Sequence, residues 1–208
     1  MAESEHESVE PQPQPQPQPE RPEPEPEPEL DPEVAARRAA ALALVRQFGD
    51  PVLKTRALPV ERFDDDLRAE VLRMEAIMGD SLGVGLAATQ LGVMHRLLVY
   101  RVGDAPLAAL ANPEIEWHSD DAETMEEGCL SLPGVHVDVD RSIHVVLRGA
   151  DERGEALRIE ASGLEARVLQ HEVDHLDGVL ILDRTTREQR KEAMRALRER
   201  AEAQRAAA

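Results

Sequence analysis

The pentapeptide His171-Glu172-Val173-Asp174-His175 decides how this chain is read. It lies in residues 164–176, where Leu164, Val168, Leu169 and Leu176 fall at helical spacing and Gly178 ends the run. Residues four apart lie on one helix face, so both imidazoles reach one metal ion, and Glu172 beside the first histidine reaches a water on that ion. His6, His95, His118, His136 and His144 have no partner at such spacing. They read as ordinary surface or half-buried residues.

Two histidines do not complete a hydrolytic site, which usually has three protein ligands and one open position. A third histidine in the longer H-E-x-x-H-x-x-G-x-x-H pattern would fall at Ile181, which cannot coordinate. A distal glutamate is the second option, with Glu188 and Glu192 available in a charged helix. The third is Cys129, the only cysteine, set in Glu127-Gly128-Cys129-Leu130-Ser131. A lone cysteine forms no intrachain disulfide and leaves a thiol available for chemistry, which fits a reducing cytosol.

Gly83-Val84-Gly85-Leu86-Ala87-Ala88-Thr89-Gln90 places two glycines and two alanines in eight residues, a sign of close backbone approach, and ends on an amide. It is not a nucleotide loop. Ala88 stands where G-x-G-x-x-G requires its third glycine, and no Lys-Ser/Thr pair follows.

Elsewhere the pattern predicts helices over residues 34–47, 64–78 and 187–200, the last opened by a Thr185-to-Glu188 capping box. Strands are predicted over 97–101, 108–111, 135–139 and 143–147. A hairpin joins the last of these to 157–159 through Glu152-Arg153-Gly154-Glu155. The class is α+β: antiparallel strands packed around a central helix that carries HExxH, with a C-terminal helix.

Of the 208 residues, residues 1–33 hold ten of the fifteen prolines and eleven acids against one arginine, a net charge of −10 within the total of −18. Alternating proline and mutual acidic repulsion read as a disordered, extended tail, leaving residues 34–208 as the working domain. An acidic balance excludes a polybasic nucleic-acid binder or a patch for anionic lipid. The uncharged stretch 81–94 is too short for a membrane span, and no secretory signal opens the chain.

Segments 83–90, 127–131 and 171–175, in this order and with these gaps, resemble the three motifs of the bacterial peptide deformylases. The likeness runs on through Gly49-Asp50-Pro51-Val52-Leu53, Asn112-Pro113-Glu114 and Leu176-Asp177-Gly178, over residues 42 to 200. It implies that Cys129, His171 and His175 hold one divalent metal with water as fourth ligand. Glu172 then acts as general base and acid, and the Gln90 side chain with the Leu130 backbone N–H stabilises an oxyanion. Backbone groups at Val84, Gly85 and Gly128 take an extended peptide, while Val84, Met125, Leu164 and Val168 line a methionine slot. His136 stands where some relatives carry arginine near the peptide entrance.

The implied substrates are nascent polypeptides bearing N-formylmethionine, at the ribosome and in the cytoplasm. The implied metal is Fe²⁺, with Ni²⁺ or Co²⁺ able to substitute and Zn²⁺ less active, although ligand type alone suits zinc at least as well. Two other readings follow from HExxH: a metalloprotease with a distal glutamate ligand, and a non-catalytic metal-stabilised relative. The second is expected to lose Glu172 or Gln90, and both are present.

Overall fold

The computed structural model describes residues 30–207, so the Pro-rich run of the tail lies outside the described residues. The chain divides into residues 1–30 and 31–208. In the second unit, helix α1 (Pro32–Leu42) starts with proline in its first turn, behind Asp31, whose carboxylate accepts Glu33 N–H at 2.9 Å. It ends well before residue 47, the end its Ala-Arg pattern predicts. The reason is competition for backbone donors: Arg46 N–H goes to the Gln90 carbonyl at 2.7 Å and Phe48 N–H to the Ser131 carbonyl at 2.9 Å. Helix α2 (Asp65–Asp80) follows, with Asp64 accepting Leu67 N–H and Asp65 and Asp66 in the positive first turn.

Seven strands come next: β1 (Gly85–Ala87), β2 (Leu97–Tyr100), β3 (Ala108–His118), β4 (Ala122–Gly128), β5 (His136–Ser142), β6 (His144–Ala150) and β7 (Ala156–Ser162). Five form an antiparallel sheet in the order β1-β2-β3-β6-β7, and β4-β5 form a separate antiparallel hairpin. Strand β3 runs past residue 111, where Asn112-Pro113 points to an end. The ladder shifts register there, a bulge that carries the strand through a proline without a ladder donor. The predicted β6–β7 turn forms, with the Asp151 carboxylate accepting the N–H groups of Arg153 and Glu155.

Helix α3 (Gly163–Leu176) carries HExxH across one face of the large sheet, burying Leu169, Val173 and Leu176 against Leu98, Leu110 and Leu147. The other face is covered by α1 and α2, where Met74 and Met78 meet Leu97 and Val99. All four residues of β2 are therefore buried, and the strand reads as an unbroken apolar run. A third cluster joins Val137 and Val139 of β5 to Ile181 and Leu182 of α4 (Ile181–Arg184) and Ala193 of α5 (Arg187–Ala207). Antiparallel strands thus surround a central helix, and a C-terminal helix closes the chain. The cap of α5 lies one residue beyond the predicted Thr185. Thr186 Oγ1 accepts Gln189 N–H at 3.3 Å, while Thr185 donates to the Gln189 side chain. No helix among the described residues is long and apolar enough to cross a membrane.

Gly178 stops α3 at φ 73°, and a Cβ there would lie 2.8 Å from the Lys54 backbone carbon and oxygen. Gly178→Ala combines a left-handed backbone with a backbone clash. It should destabilise the fold by about 1–3 kcal/mol or more, read as a lower midpoint in urea unfolding at unchanged m-value.

Candidate metal centre

Helix α3 sets His171, Glu172 and His175 within two turns, and the residue after β4 is Cys129. Ligand atoms of Cys129, His171 and His175 lie within 4.8 Å of one another, with Cys129 Sγ 3.2 Å from His175 Nε2. Bonds of about 2.0–2.3 Å to one ion bring its ligands to within roughly 4–5 Å of one another, so the set is compact enough for a single metal. Glu188 and Glu192 are exposed on α5 and take no part. The thiol, and neither glutamate, lies beside the two imidazoles, and the distal-glutamate reading is set aside.

Electrostatics point the same way. Burial lowers the pKa of His171, but hydrogen bonds to Cys129 and Glu127 overcome it and raise the group to about 10. Burial and the His171 charge push His175 well below the ordinary histidine value.

His171 is oriented from behind. Its Nδ1 faces Glu127 Oε2 at 3.0 Å, so that nitrogen carries the proton and Nε2 is left for a metal. Glu127 is the only buried residue of β4, and it also accepts a two-pronged pair from Arg141 at 2.8 and 2.9 Å and one bond from Arg167 at 2.7 Å. Burial opposes its charge, yet Arg141 and His171 hold the carboxyl far below the usual carboxylate range. Arg141 continues to Asp174 at 2.7 Å, which Arg184 grips from α4. Arg167 also binds the carbonyls of Val139 and Glu123, tying both hairpin strands to α3.

Glu172 is buried, and burial pushes its pKa up to about 7. Its Oε1 lies where a Cβ on Gly85 would stand, 2.3 Å away, so only glycine admits this carboxylate. Its Oε2 is buried without a protein partner, as is His175 Nδ1. Gln90 is buried and fixed by Ala87 N–H, which its Oε1 accepts at 2.9 Å. Its Nε2 faces Ser131 Oγ at 3.2 Å and Cys129 Sγ at 3.8 Å. The Leu130 carbonyl accepts Gln47 Nε2 at 3.3 Å.

Val84, Met125 and Leu164 are half exposed, Val168 is buried one turn below Leu164, and Gly128 is exposed at the end of β4. Gly85 opens β1, an edge strand of the large sheet. Sequence reading gave no role to Glu127, Arg141, Arg167, Asp174, Arg184 or Ser131. One signal was available for Arg141: the period-two alternation of Val137 and Val139 continues to it.

Comparison with known proteins places this architecture. A family model described as polypeptide deformylase matches residues 42–191. A peptide deformylase of Acidothermus cellulolyticus is 48% identical over 159 residues, 76% of this chain and 87% of that protein. One from Thermotoga neapolitana is 50% identical over 140 residues, 67% of this chain and 85% of that protein. Among solved structures, a peptide deformylase from Synechococcus elongatus in complex with actinonin superposes with a TM-score of 0.71 at 42% identity, covering 73% of this chain and 85% of that one. The Thermotoga maritima peptide deformylase gives 0.67 at 46% identity, covering 68% and 96%. The chain belongs to the polypeptide deformylase family.

Glu127→Gln should expose the weight carried by the buried carboxylate. Arg141 and Arg167 would face a neutral amide, and breaking a buried pair costs about 3–5 kcal/mol. The sign with pH follows from the lowered pKa. The stabilisation is present above the unfolded value near 4.3 and is lost as pH falls below it, so the gap between wild type and variant should narrow in acid. Denaturant unfolding at pH 7 and pH 3 reads both effects.

Proposed function

We propose that Cys129, His171 and His175 hold one Fe²⁺ ion, and that Glu172, Gln90 and Leu130 carry out deformylation around it. As a member of its family the chain is a metal-dependent hydrolase that removes the N-formyl group from the N-terminal formylmethionine of newly made proteins. The observation that carries the assignment of residues is the juxtaposition of the three ligand atoms with the Gln90 amide, 3.8 Å from Cys129 Sγ. When bound, the ion supplies Lewis-acid chemistry, polarising a carbonyl and acidifying water at neutral pH.

Glu172 takes the proton of the attacking water and returns one to the leaving amine. A carboxyl raised to about 7 is matched to both transfers at neutral pH. Gln90 Nε2 and the Leu130 backbone N–H stabilise the oxyanion, each such donor being worth about 3 kcal/mol in the transition state. The peptide lies as an added strand along the edge at Val84 and Gly85 and past Gly128, a mode that reads main chain and tolerates many sequences. The methionine enters between Val84, Met125, Leu164 and Val168.

On this reading residues 34–208 are the catalytic domain and the acidic tail 1–33 lies outside it. The enzyme works in the cytoplasm on chains emerging from the ribosome. Formate release from formyl-Met-Ala-Ser by the purified protein, kept from oxygen, tests the assignment. Glu172→Gln keeps shape but not basicity, and turnover should fall at least about 100-fold with metal content unchanged. Near-normal turnover would place the base elsewhere.

The choice of iron is tested separately, by loading one preparation anaerobically with each metal and measuring turnover beside metal content. The Fe²⁺ form should be active and lose activity in air, through oxidation of the iron or of Cys129. The Ni²⁺ form should be active and stable, and the Zn²⁺ form folded but slow. Zinc turnover equal to that of iron, with an iron form indifferent to air, would overturn the iron assignment and leave deformylation standing.

A further inference from the structure

The Gln90 amide has two ends that are alike in shape and opposite in chemistry: its oxygen repels a developing oxyanion, and its nitrogen stabilises one. Which end faces the metal ligands is therefore a functional choice. The backbone makes the first part of it. Ala87 N–H can only donate, so the Gln90 atom it meets at 2.9 Å is the oxygen, and Nε2 is turned toward Cys129 Sγ, 3.8 Å away. That bond alone leaves the amide free to swing about its oxygen. Ser131 removes the freedom, because its Oγ accepts an Nε2 proton at 3.2 Å. The nitrogen carries two protons, so one is held by Ser131 and the other remains for the Cys129 side.

Ser131 belongs to the second donor as well. Leu130 and Ser131 are the central residues of a tight turn, closed by Leu132 N–H on the Cys129 carbonyl at 2.9 Å. That closure does not use the Leu130 N–H, and Phe48 N–H holds the Ser131 carbonyl at 2.9 Å. One wholly buried residue thus touches the Gln90 amide with its side chain and adjoins the Leu130 N–H through its backbone. A buried hydroxyl is costly unless it is bonded, and the partner of this one is Gln90. We propose that Ser131 is a positioning residue for the oxyanion site: its hydroxyl fixes Gln90 Nε2 relative to the Leu130 N–H, so that both donors meet one oxygen. The inference rests on the deformylase reading above. A misplacement of about 1 Å costs up to about 100-fold in rate, so holding the amide still has a kinetic consequence. A packing role predicts something else, a loss that is the same whether or not the Gln90 amide is present.

The test is a double-mutant cycle in the Fe²⁺-loaded protein kept from oxygen: wild type, Ser131→Ala, Gln90→Ala and the pair. Each is assayed for formate release from formyl-Met-Ala-Ser, with metal content and melting temperature measured on the same samples. Ser131→Ala removes one buried atom and adds none. It should lower kcat about tenfold, with KM changed less than about twofold and metal content unchanged, because the donor acts on charge present only in the transition state. Gln90→Ala should lower kcat about 100-fold. In that background, removing the hydroxyl should change kcat less than about twofold, since the group it positions is gone. A second reading is independent of turnover: in the diamagnetic Zn²⁺-loaded protein, the Gln90 side-chain NH₂ resonances should exchange with water about tenfold faster in Ser131→Ala. An unchanged kcat, losses of equal size in both backgrounds, a loss carried by KM, unaltered amide exchange, or a Ser131→Ala chain that does not fold would each overturn the proposal. Wild-type kcat in Gln90→Ala would remove the oxyanion role of Gln90 and the proposal with it. If wild type releases no formate, the deformylase reading itself fails.

Discussion

Everything at the metal centre depends on one buried carboxylate, that of Glu127. The β4-β5 hairpin shares no ladder with the five-stranded sheet, so backbone pairing does not fix Cys129 relative to the histidines of α3. Glu127 does so from the residue two before the cysteine, by meeting Arg141 from β5 and both Arg167 and His171 from α3. A hydrophobic contact of the same size would hold the elements together with similar stability, but it would not orient an imidazole. The ion network chooses which nitrogen of His171 carries the proton, and so which one is left free toward Cys129 and His175. Asp174 extends the same logic one turn further, joining Arg141 to Arg184 of α4.

The helix can carry this charge because its other faces are apolar. Leu169, Val173 and Leu176 lie against the large sheet, whose far side is covered in turn by α1 and α2. The Glu172 carboxylate thus sits at low dielectric, and burial raises it to about 7. Gly85 completes the arrangement by leaving room for it. Basicity near neutral pH is therefore a packing consequence of a helix held between two sheets.

What the sequence made legible divides along one line, local pattern against long-range pairing. The HExxH helix, its stop at Gly178, the β6-β7 hairpin and the three motif segments each carry a signal within a few residues. Strand β4 does not, because six of its seven residues are exposed and its one buried side chain is an acid. Arg141, Arg167 and Arg184 look like surface charge in a chain where arginine supplies nearly all the basic residues. Only their partners, between 10 and 44 residues away along the chain, make them part of the site. Thr185 failed as a cap for a simpler reason: two adjacent threonines offer the same hydroxyl, and local sequence does not rank them.

The end of α1 belongs to the same account. Helix propensity over residues 34–47 favours continuation, yet the chain leaves the helix after Leu42 and spends its next donors on the site. Arg46 N–H holds the carbonyl of Gln90, Phe48 N–H that of Ser131, and the Gln47 amide that of Leu130. Both groups assigned to the oxyanion, the Gln90 side chain and the Leu130 N–H, come from segments outside the strands. A donor stabilises a developing charge only if it is already in place when the charge appears. Three consecutive residues bracing both segments from one side supply that fixity. They also explain why a stretch rich in alanine and arginine, a good helix by composition, gives up a turn of helix beside the metal centre.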